Sequence, residues 1–486
     1  MSQPYSKVAQ LRTADRLLAR LAELGTELPC DERILSAAEG SPMALPLTIG
    51  NCTAGNRWCI HPMEGWDANR DGSPSDLTLR RWERFGASGA KLIWGGEAAA
   101  VVPEGRANPN QTLATRENRA GLQRLLAVLV DTHRRDFGGV SDLIVGLQLT
   151  HSGRFCKPND HKRWEPRIVY HHPLLDPKFR VDPQDQSVVL SDAEVERIID
   201  AYVNAAKMAH EIGFQFVDIK ACHGYLLHEF LSARTRPGQF GGDLHGRSRV
   251  MRTIIGRIRH ECPQLMIGVR ISIFDWLPFQ QGESCGVPMN WPAGEPYPHG
   301  FGNAADRPLE IDLSEPMALV DSLCKLGIVA LNVSCGSPYY NPHIQRPAIF
   351  PPSDGYLPPE DPLVGVARQI HTAARVKQAF PQLPMVGTGY TYLQDFLPQV
   401  AQATVRAGMI DAVGLGRMVL SYPTLPADTL RGETMQRKLV CRTFSECTSA
   451  PRNGMVSGCY PLDAYYKNRP ENAALQAIKD QSKSNV

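Results

Sequence analysis

Short apolar runs alternate with longer amphipathic stretches along most of the chain, starting near residue 45. Eight runs have the length and apolar character of strands buried on both faces, and they fall at residues 57–60, 91–95, 144–149, 216–220, 266–271, 329–333, 384–387 and 412–415. Helical stretches lie between them, for example at residues 79–86, 121–134, 192–212, 249–260, 317–326, 363–379 and 392–407. Because strands that alternate with helices form a parallel sheet, these units predict an α/β fold with a closed (β/α)8 TIM barrel at residues 45–420.

Three kinds of segment extend beyond this pattern. Residues 1–44 predict a helical extension lying on the barrel, because leucines recur at helical spacing at Leu11, Leu17, Leu18 and Leu21. The connections 155–189 and 275–311 follow the third and fifth strands and are too long for plain barrel loops. We expect both to be lids over the active site, with surface decoration as the alternative. Residues 421–486 form a C-terminal extension.

The composition is that of an ordinary globular protein, with 43% hydrophobic and 21% charged residues among 486. A formal charge of +2 gives no reason to expect a nucleic-acid or membrane partner. The chain has no apolar run long enough to span a membrane and no signal-peptide core, so we expect a cytoplasmic location. The 12 cysteines predict reduced, buried thiols rather than a disulfide scaffold.

The fourth predicted strand ends in a group of reactive side chains. Lys220, Cys222, His223 and Tyr225 follow one another within a few residues. In parallel barrels the carboxyl ends of the strands carry the chemistry. The sequence therefore predicts an active site at this strand end.

Glycines follow the last two predicted strands. Gly387, Thr388 and Gly389 end the seventh strand, and Gly416 and Arg417 end the eighth. Barrels frequently bind phosphate with these two loops, because glycine lets the backbone approach an anion and arginine supplies charge. The sequence therefore predicts a phosphate site there.

Motifs occur in a matching order at seven of the eight strand ends. The fourth-strand motif is carried by His223, Gly224, Tyr225, Leu227, Phe230, Leu231, Ser232, Gly241 and Gly242. The other motifs include His61-Pro62-Met63, Glu97-Ala98, Gln148 in LQLTHSGR, Arg270 in GVRIS, and Gly-Leu-Gly-Arg ending at Arg417. Over residues 45–420 the chain resembles the old yellow enzyme family, the FMN-dependent ene-reductases.

The resemblance implies a bound FMN and a small-molecule substrate. NAD(P)H would reduce the flavin, and flavin N5 would pass hydride to the activated C=C of an enone, enoyl ester or enoyl-CoA-like molecule. Gln148 is implied to bind the pyrimidine edge, and Arg270 to stabilise the anionic reduced flavin near N1 and C2=O. The implied FMN contacts are Pro62, Met63, Glu64, Glu97, Ala98, Gln148, Arg270, Gly387, Thr388, Gly389, Gly416 and Arg417.

The same resemblance assigns catalytic roles at the fourth strand end. Lys220 and His223 would polarise the substrate carbonyl, and Tyr225 would protonate the α-carbon. Lys220 replaces the His expected by the family pattern, and the alternative is that it pairs with Glu64 or Glu97 away from substrate. Glu64 stands where covalent-flavin relatives have Cys, so the FMN is expected to be non-covalent.

The C-terminal extension resembles an incomplete Fe–S segment of the dienoyl-CoA reductase and trimethylamine dehydrogenase types. Cys441, Cys447 and Cys459 match three ligand positions, and Phe444 occupies a fourth. Three thiolates are one short of the usual ligand set, so no Fe–S cluster and no other metal site is expected. The dinucleotide-binding domain of those relatives has no counterpart in this sequence, so we expect electrons directly from NAD(P)H or from a partner protein.

Two other functions stay open at this point. The chain could be a flavin-dependent dehydrogenase or demethylase that passes electrons to a partner protein. Alternatively, Lys220 could form a Schiff base with a carbonyl substrate, as in aldolase-like lyases. The sequence also leaves open a homo-oligomer.

Overall fold

The eight apolar runs form the eight parallel strands of a closed barrel in the computed structural model, which describes residues 5–484. The strands are β1 Trp58–Ile60, β2 Leu92–Ile93, β3 Ile144–Thr150, β4 Phe216–Ala221, β5 Met266–Ser272, β6 Ala330–Ser334, β7 Met385–Gly387 and β8 Ala412–Leu415. Each strand pairs with the next, and β8 pairs with β1. The predicted TIM barrel is therefore confirmed.

Helices surround the barrel and bury one face each against it. The longer ones are Asp76–Gly86, Arg119–Phe137, Asp192–Ile212, Arg249–Glu261, Ser314–Lys325, Pro362–Ala379, Leu397–Arg406 and Leu425–Arg431. The helix Asp192–Ile212 begins with a capping box between Ser191 and Glu194 and ends at Gly213, whose φ is 110°. These local signals explain why its predicted bounds match the structure.

The bottom of the barrel is closed by a hairpin of the strands Leu47–Ile49 and Cys52–Ala54. Leu47 and Ile49 pack against the first residues of the barrel strands, including Phe216 and Met266. This apolar plug leaves the opposite end of the barrel, where the strands finish, as the open end. A further strand, Ala98–Ala100, pairs with β3 at that end.

The N-terminal extension packs on the barrel through the helix Ala14–Glu23. Leu17 and Leu21 are buried, whereas Leu18 is 37% exposed. Arg20 fixes the helix by an ion pair of 2.8 Å with Asp361. Residues 1–4 and 485–486 of the two predicted extensions lie outside the described residues.

The two long connections take different positions. Residues 155–189 reach the open end of the barrel, where Trp164 and Phe179 line the main cavity. Residues 275–311 contribute nothing to that lining, and their role as a second lid stays a prediction. This connection packs on the first one. The Nε2 atom of His172 and the hydroxyl group of Tyr297 are hydrogen-bonded at 3.0 Å, and the Tyr170 ring stacks on the His299 ring.

The C-terminal extension covers another side of the open end. It contains the helices Glu446–Arg452, Ala464–Lys467 and Pro470–Ser484. Asp463 forms a bidentate ion pair with Arg80, at 2.9 and 3.0 Å, and the Ser457 hydroxyl accepts the Trp66 N–H at 2.8 Å. Within the described range, no helix is long and apolar enough to cross a membrane.

Candidate active site

A cavity of about 510 Å³ opens at the carboxyl ends of the barrel strands. Its volume is in the range of small-molecule and cofactor sites. The sequence-predicted residues that line it are Pro62, Met63, Glu64, Gln148, Lys220, His223, Tyr225, Arg270, Thr388, Gly389, Gly416 and Arg417. The fold thus brings together all three predicted catalytic residues and nine of the predicted cofactor contacts.

Glu97, Ala98 and Gly387 do not line the cavity. The Glu97 carboxylate accepts hydrogen bonds from Arg81 at 2.8 Å and from the Gly65 N–H at 3.0 Å. The Ala98 N–H donates to the Met63 carbonyl at 3.0 Å. Glu97 and Ala98 therefore hold the backbone of Met63 and Gly65 in place from behind.

One end of the cavity carries two guanidinium groups without an ion pair among the described residues. Arg346 and Arg417 both line this end, beside Gly389 and Gly416. The Arg417 Nη1 and Arg346 Nε atoms are buried and have no hydrogen-bond partner. Burial, together with the positive charge of Arg417, lowers the pKa of Arg346 to about 9. Two buried cations without a carboxylate favour a bound anion.

The backbone near these cations is open or specially shaped. Gly389 has a φ of 97°, a conformation that favours glycine, and an added Cβ at Gly416 would meet nothing within 4 Å. An added Cβ at Gly414 would collide with the His61 ring. The glycine at position 414 therefore makes room for His61, and Gly416 leaves the cavity accessible.

Polar residues on neighbouring strands define the middle of the cavity. Gln148 on β3 lies opposite Asp218 on β4 in register and donates to its carboxylate at 2.5 Å. Burial raises the pKa of Asp218 to about 7. Arg270 on β5 lies next to Lys220 on β4 and has a buried Nε without a partner. Two cations on adjacent strands therefore face a space without a paired carboxylate.

Lys220 is buried and forms no ion pair with the described residues. Its Nζ lies 3.5 Å from the centre of the Tyr225 ring. Burial lowers its pKa, and the nearby Glu64 charge counteracts this without approaching within ion-pair distance. The alternative in which Lys220 pairs with Glu64 or Glu97 is thus not what the structure shows.

His223 is held by contacts to two neighbouring strands. Its backbone adopts a φ of 67°, and its N–H donates to the Ser272 hydroxyl at 2.9 Å. Its Nε2 lies 2.8 Å from the Ser334 hydroxyl. Burial, reinforced by Arg270 and Lys220, lowers its pKa well below the usual value, so the imidazole is neutral at neutral pH.

Tyr225 is engaged by two neighbours. Its hydroxyl donates to the Glu64 carboxylate and lies 3.0 Å from the Tyr339 hydroxyl. Glu64 also accepts from the Trp66 indole at 3.3 Å. Burial raises the pKa of Tyr225 well above its usual value, with the Glu64 charge as the next cause. The phenol therefore keeps its proton at neutral pH.

Several cavity residues were not identified from the sequence. They are Lys157, Trp164, Lys178, Phe179, Tyr339, Arg346 and Arg452. All belong to the connection 155–189, to the loop after β6 or to the C-terminal extension, where no strand pattern marks them. The one available signal was the mixture of aromatic and basic residues in 155–189.

The three cysteines of the C-terminal extension lie near this cavity. Cys447 and Cys459 line it, and Cys441 is buried beside them. Burial raises the pKa of Cys441 and of Cys459, which favours the protonated thiols. Among the side chains that the structure describes, no three His, Cys, Asp or Glu residues are arranged to hold a metal ion.

Comparison with known proteins gives a family match over residues 43–284, to the NADH:flavin oxidoreductase / NADH oxidase family. An NADH:flavin oxidoreductase of Gibberella zeae is 28% identical over 261 residues, which cover 51% of this chain and 60% of the relative. The NADH oxidase of Thermoanaerobacter brockii is 24% identical over 389 residues, covering 79% of this chain and 50% of the relative. This chain therefore matches less than two thirds of the length of these relatives.

Solved structures show the same fold. A 2-naphthoyl-CoA reductase complex aligns with a TM-score of 0.63 and 18% identity, covering 89% of this chain and 58% of the other. The old yellow enzyme homologue from Zymomonas mobilis aligns with a TM-score of 0.54 and 19% identity, covering 81% of this chain and 94% of the other. At these identities the likeness is one of fold.

Proposed function

This chain belongs to the old yellow enzyme family of NADH:flavin oxidoreductases, and from that premise we propose that it is an FMN-dependent NAD(P)H oxidoreductase that reduces an activated C=C bond. The observation that supports this most is one cavity that carries two kinds of cationic site. Unpaired Arg346 and Arg417 line it beside Gly389 and Gly416, and Lys220 and His223 line it where β4 ends. An elongated phosphate-bearing cofactor and a carbonyl substrate both suit such a cavity.

The residues present fit a non-covalent FMN. Arg346 and Arg417 would hold its phosphate, since both have buried nitrogen atoms without partners. Arg270 would lie along the ring, where its unpaired cation favours negative charge. When bound, the flavin supplies the acceptor and donor of hydride. Glu64 offers no thiol for a covalent bond to it.

Lys220 and His223 would bind the carbonyl oxygen of the substrate. Both side chains line the cavity from the end of β4 and the turn that follows it. The imidazole is neutral, so its N–H group can donate a hydrogen bond to the substrate oxygen without transferring the proton. Negative charge that develops on the substrate oxygen would favour the protonated Lys220 amine. That charge offsets the effect of burial, which lowers the pKa of Lys220.

Tyr225 would provide the proton that completes the reduction. Its phenol holds a proton at neutral pH and is kept in place by Glu64 and Tyr339. After Tyr225 gives its proton to the α-carbon, the Tyr339 hydroxyl at 3.0 Å is positioned to donate to the phenolate. Glu64 would therefore orient Tyr225, the proton donor, rather than bind the cofactor.

The first experiment is the absorbance spectrum of the purified protein before and after FMN is added. We expect flavin bands and a stable complex, followed by anaerobic NADPH oxidation that depends on an alkene from a panel of enones, unsaturated acids and enoyl thioesters. A protein that stays colourless and does not retain added FMN contradicts the proposal. Flavin binding without alkene-dependent NADPH oxidation favours transfer of electrons to a partner protein instead.

A Schiff-base lyase is a second candidate, because Lys220 is buried, unpaired and has a lowered pKa. Borohydride treatment in the presence of a carbonyl compound distinguishes it. A mass increase on the Lys220 peptide supports the lyase, and an unmodified peptide beside a flavin spectrum supports the oxidoreductase.

A further inference from the structure

A row of aromatic rings connects two lysines along one wall of the cavity. The Lys157 Nζ lies 3.6 Å from the centre of the Trp164 ring, and the Lys220 Nζ lies 3.5 Å from the centre of the Tyr225 ring. Between them, Tyr339 approaches Trp164 at 6.4 Å and Tyr225 at 5.9 Å, ring centre to ring centre. The rings meet edge to face, at 76° in both pairs, so the wall is apolar but not flat and has a cation at each end.

The outer end of this row is rich in positive charge. Lys178 and Arg452 line the cavity together with Lys157, and Asp354 is the carboxylate that lines it beside them. Asp354 is already paired with Arg452. Neither Lys157 nor Lys178 forms an ion pair with the described residues, and Lys178 donates to the Phe279 carbonyl at 3.3 Å. Neither ammonium group has an ion-pair partner there, although the charge of Asp354 acts on both.

The surroundings make those two ammonium groups suited to an anion. Burial lowers the pKa of Lys157 and of Lys178 to about 8 each, with Arg452 lowering it further and Asp354 raising it. Both lysines therefore remain mostly charged at neutral pH, and a bound anion would raise both pKa values. Lys157 is half-buried and has more to gain than Lys178, which is exposed, because water already stabilises an exposed charge.

We propose that the part of the cavity lined by Lys157 and Lys178 binds an anionic group, and that the substrate is an unsaturated carbonyl compound carrying a carboxylate at the end remote from its carbonyl. This deepens the proposed function and rests on it for the chemistry at Lys220. The apolar body of the substrate would lie along Trp164, Tyr339 and Tyr225, because contact with this apolar wall removes apolar surface from water. The carbonyl oxygen would lie at the Lys220 end and the carboxylate at the Lys157 end.

The test compares 4-[(E)-3-oxobut-1-enyl]benzoate with its methyl ester, which differ in charge at one end. Binding to the oxidised, FMN-loaded protein is measured by calorimetry, and turnover is measured with NADPH under anaerobic conditions. We expect the acid to bind at least tenfold more tightly than the ester, equivalent to about 1.4 kcal/mol. We expect the same ratio in kcat/KM.

Three variants locate the effect. Lys157→Met with Lys178→Met should reduce the preference for the acid to about onefold and change the affinity for the ester less than about twofold. Lys157→Arg with Lys178→Arg should retain the preference, because the charges remain. Lys162→Met is the matched control, since it removes an exposed lysine of the same connection that does not line the cavity.

The outcomes separate this inference from the proposed function. An acid that binds no tighter than its ester in the wild type overturns the inference, and so does a preference that survives in the double methionine variant. Tight binding of the acid without NADPH-dependent turnover supports the anion site and refutes the reductase. Turnover of both compounds at equal kcat/KM refutes the anion site and supports the reductase.

Discussion

Replacing Lys220 by Met should make the protein more stable and less active. The wild-type lysine is 4% exposed, has no ion pair with the described residues, and contacts the Tyr225 ring. Methionine has a similar length and no charge, so it can occupy the same space without the cost of burying a cation. Activity and stability should therefore change in opposite directions.

The size of the stability change follows from two opposing contributions. An uncompensated buried charge costs about 3–5 kcal/mol. The contact between Lys220 and Tyr225 offsets about 1–2 kcal/mol of that cost. We therefore expect Lys220→Met to raise the free energy of unfolding by about 2 kcal/mol, or Tm by about 2 °C for a chain of this size.

The activity change should be larger and confined to the alkene. Loss of one group that stabilises charge on the carbonyl oxygen costs about 100-fold in rate. Anaerobic stopped-flow separates the two half-reactions by following flavin absorbance, first with NADPH and then with an enone. We expect the rate with the enone to fall about 100-fold and the rate with NADPH to change by less than about threefold.

The pH dependence provides an independent check. Burial lowers the pKa of Lys220 below its ordinary 10.5, so the unfolded chain binds more protons than the folded protein between those two values. Wild-type stability therefore rises with pH across that window, and the advantage of Lys220→Met shrinks and then disappears above about pH 10.5. Lys325→Met, at an exposed helix position, is the control and should shift Tm by less than about 0.5 °C. A Lys220→Met variant with a lower Tm, or with an unchanged rate with the enone, refutes this reasoning.

Three further changes test other parts of the site. His223→Asn should keep part of the alkene reduction and a Tm near that of the wild type, because the amide can also donate a hydrogen bond. His223→Ala should lose alkene reduction and about 1 kcal/mol of stability, because the φ of 67° disfavours Ala more than Asn; activity and thermal unfolding of both variants decide this. Arg417→Met should weaken FMN binding about 10- to 100-fold, because charge-assisted hydrogen bonds to the phosphate are lost. Flavin fluorescence titration measures this, and an unchanged affinity would place the phosphate elsewhere. Gly414→Ala should lower the Tm of the cofactor-free protein, since the added Cβ would collide with the His61 ring. Gly416→Ala should leave the Tm unchanged, since its Cβ would meet no atom within 4 Å. Equal effects of the two variants on Tm would contradict this difference in free space.

The barrel could be predicted from sequence because its strands and helices are marked by local signals. Each strand is a short apolar run, and the helix Asp192–Ile212 is bounded by Ser191 at one end and Gly213 at the other. The strand ends also fix which residues meet, since parallel strands bring Gln148, Lys220 and Arg270 to one rim. For these residues, position in the sequence is enough to give position in the fold.

The remaining parts of the site depend on contacts between distant segments, which leave no local signal. Arg81 and Glu97 are both buried, and the ion pair between them takes Glu97 away from the cavity. Tyr339 approaches Tyr225 from the loop after β6, and Arg346 reaches the cavity from the same loop. The connection 275–311 has the length and aromatic content of a lid, yet the hydroxyl of its Tyr297 is hydrogen-bonded to His172 of the other connection.

The arrangement of charge at the end of β4 and β5 has a consequence for ligand binding. Lys220 and Arg270 are opposite one another in register, and neither has an ion pair with the described residues. Holding two unpaired cations together costs stability in the free protein, and a negative charge placed between them removes part of that cost. The wild type should therefore gain more in Tm from a saturating ligand whose negative charge lies beside Lys220 than Lys220→Met gains from the same ligand. Equal gains would mean that the charge of this ligand is held away from Lys220.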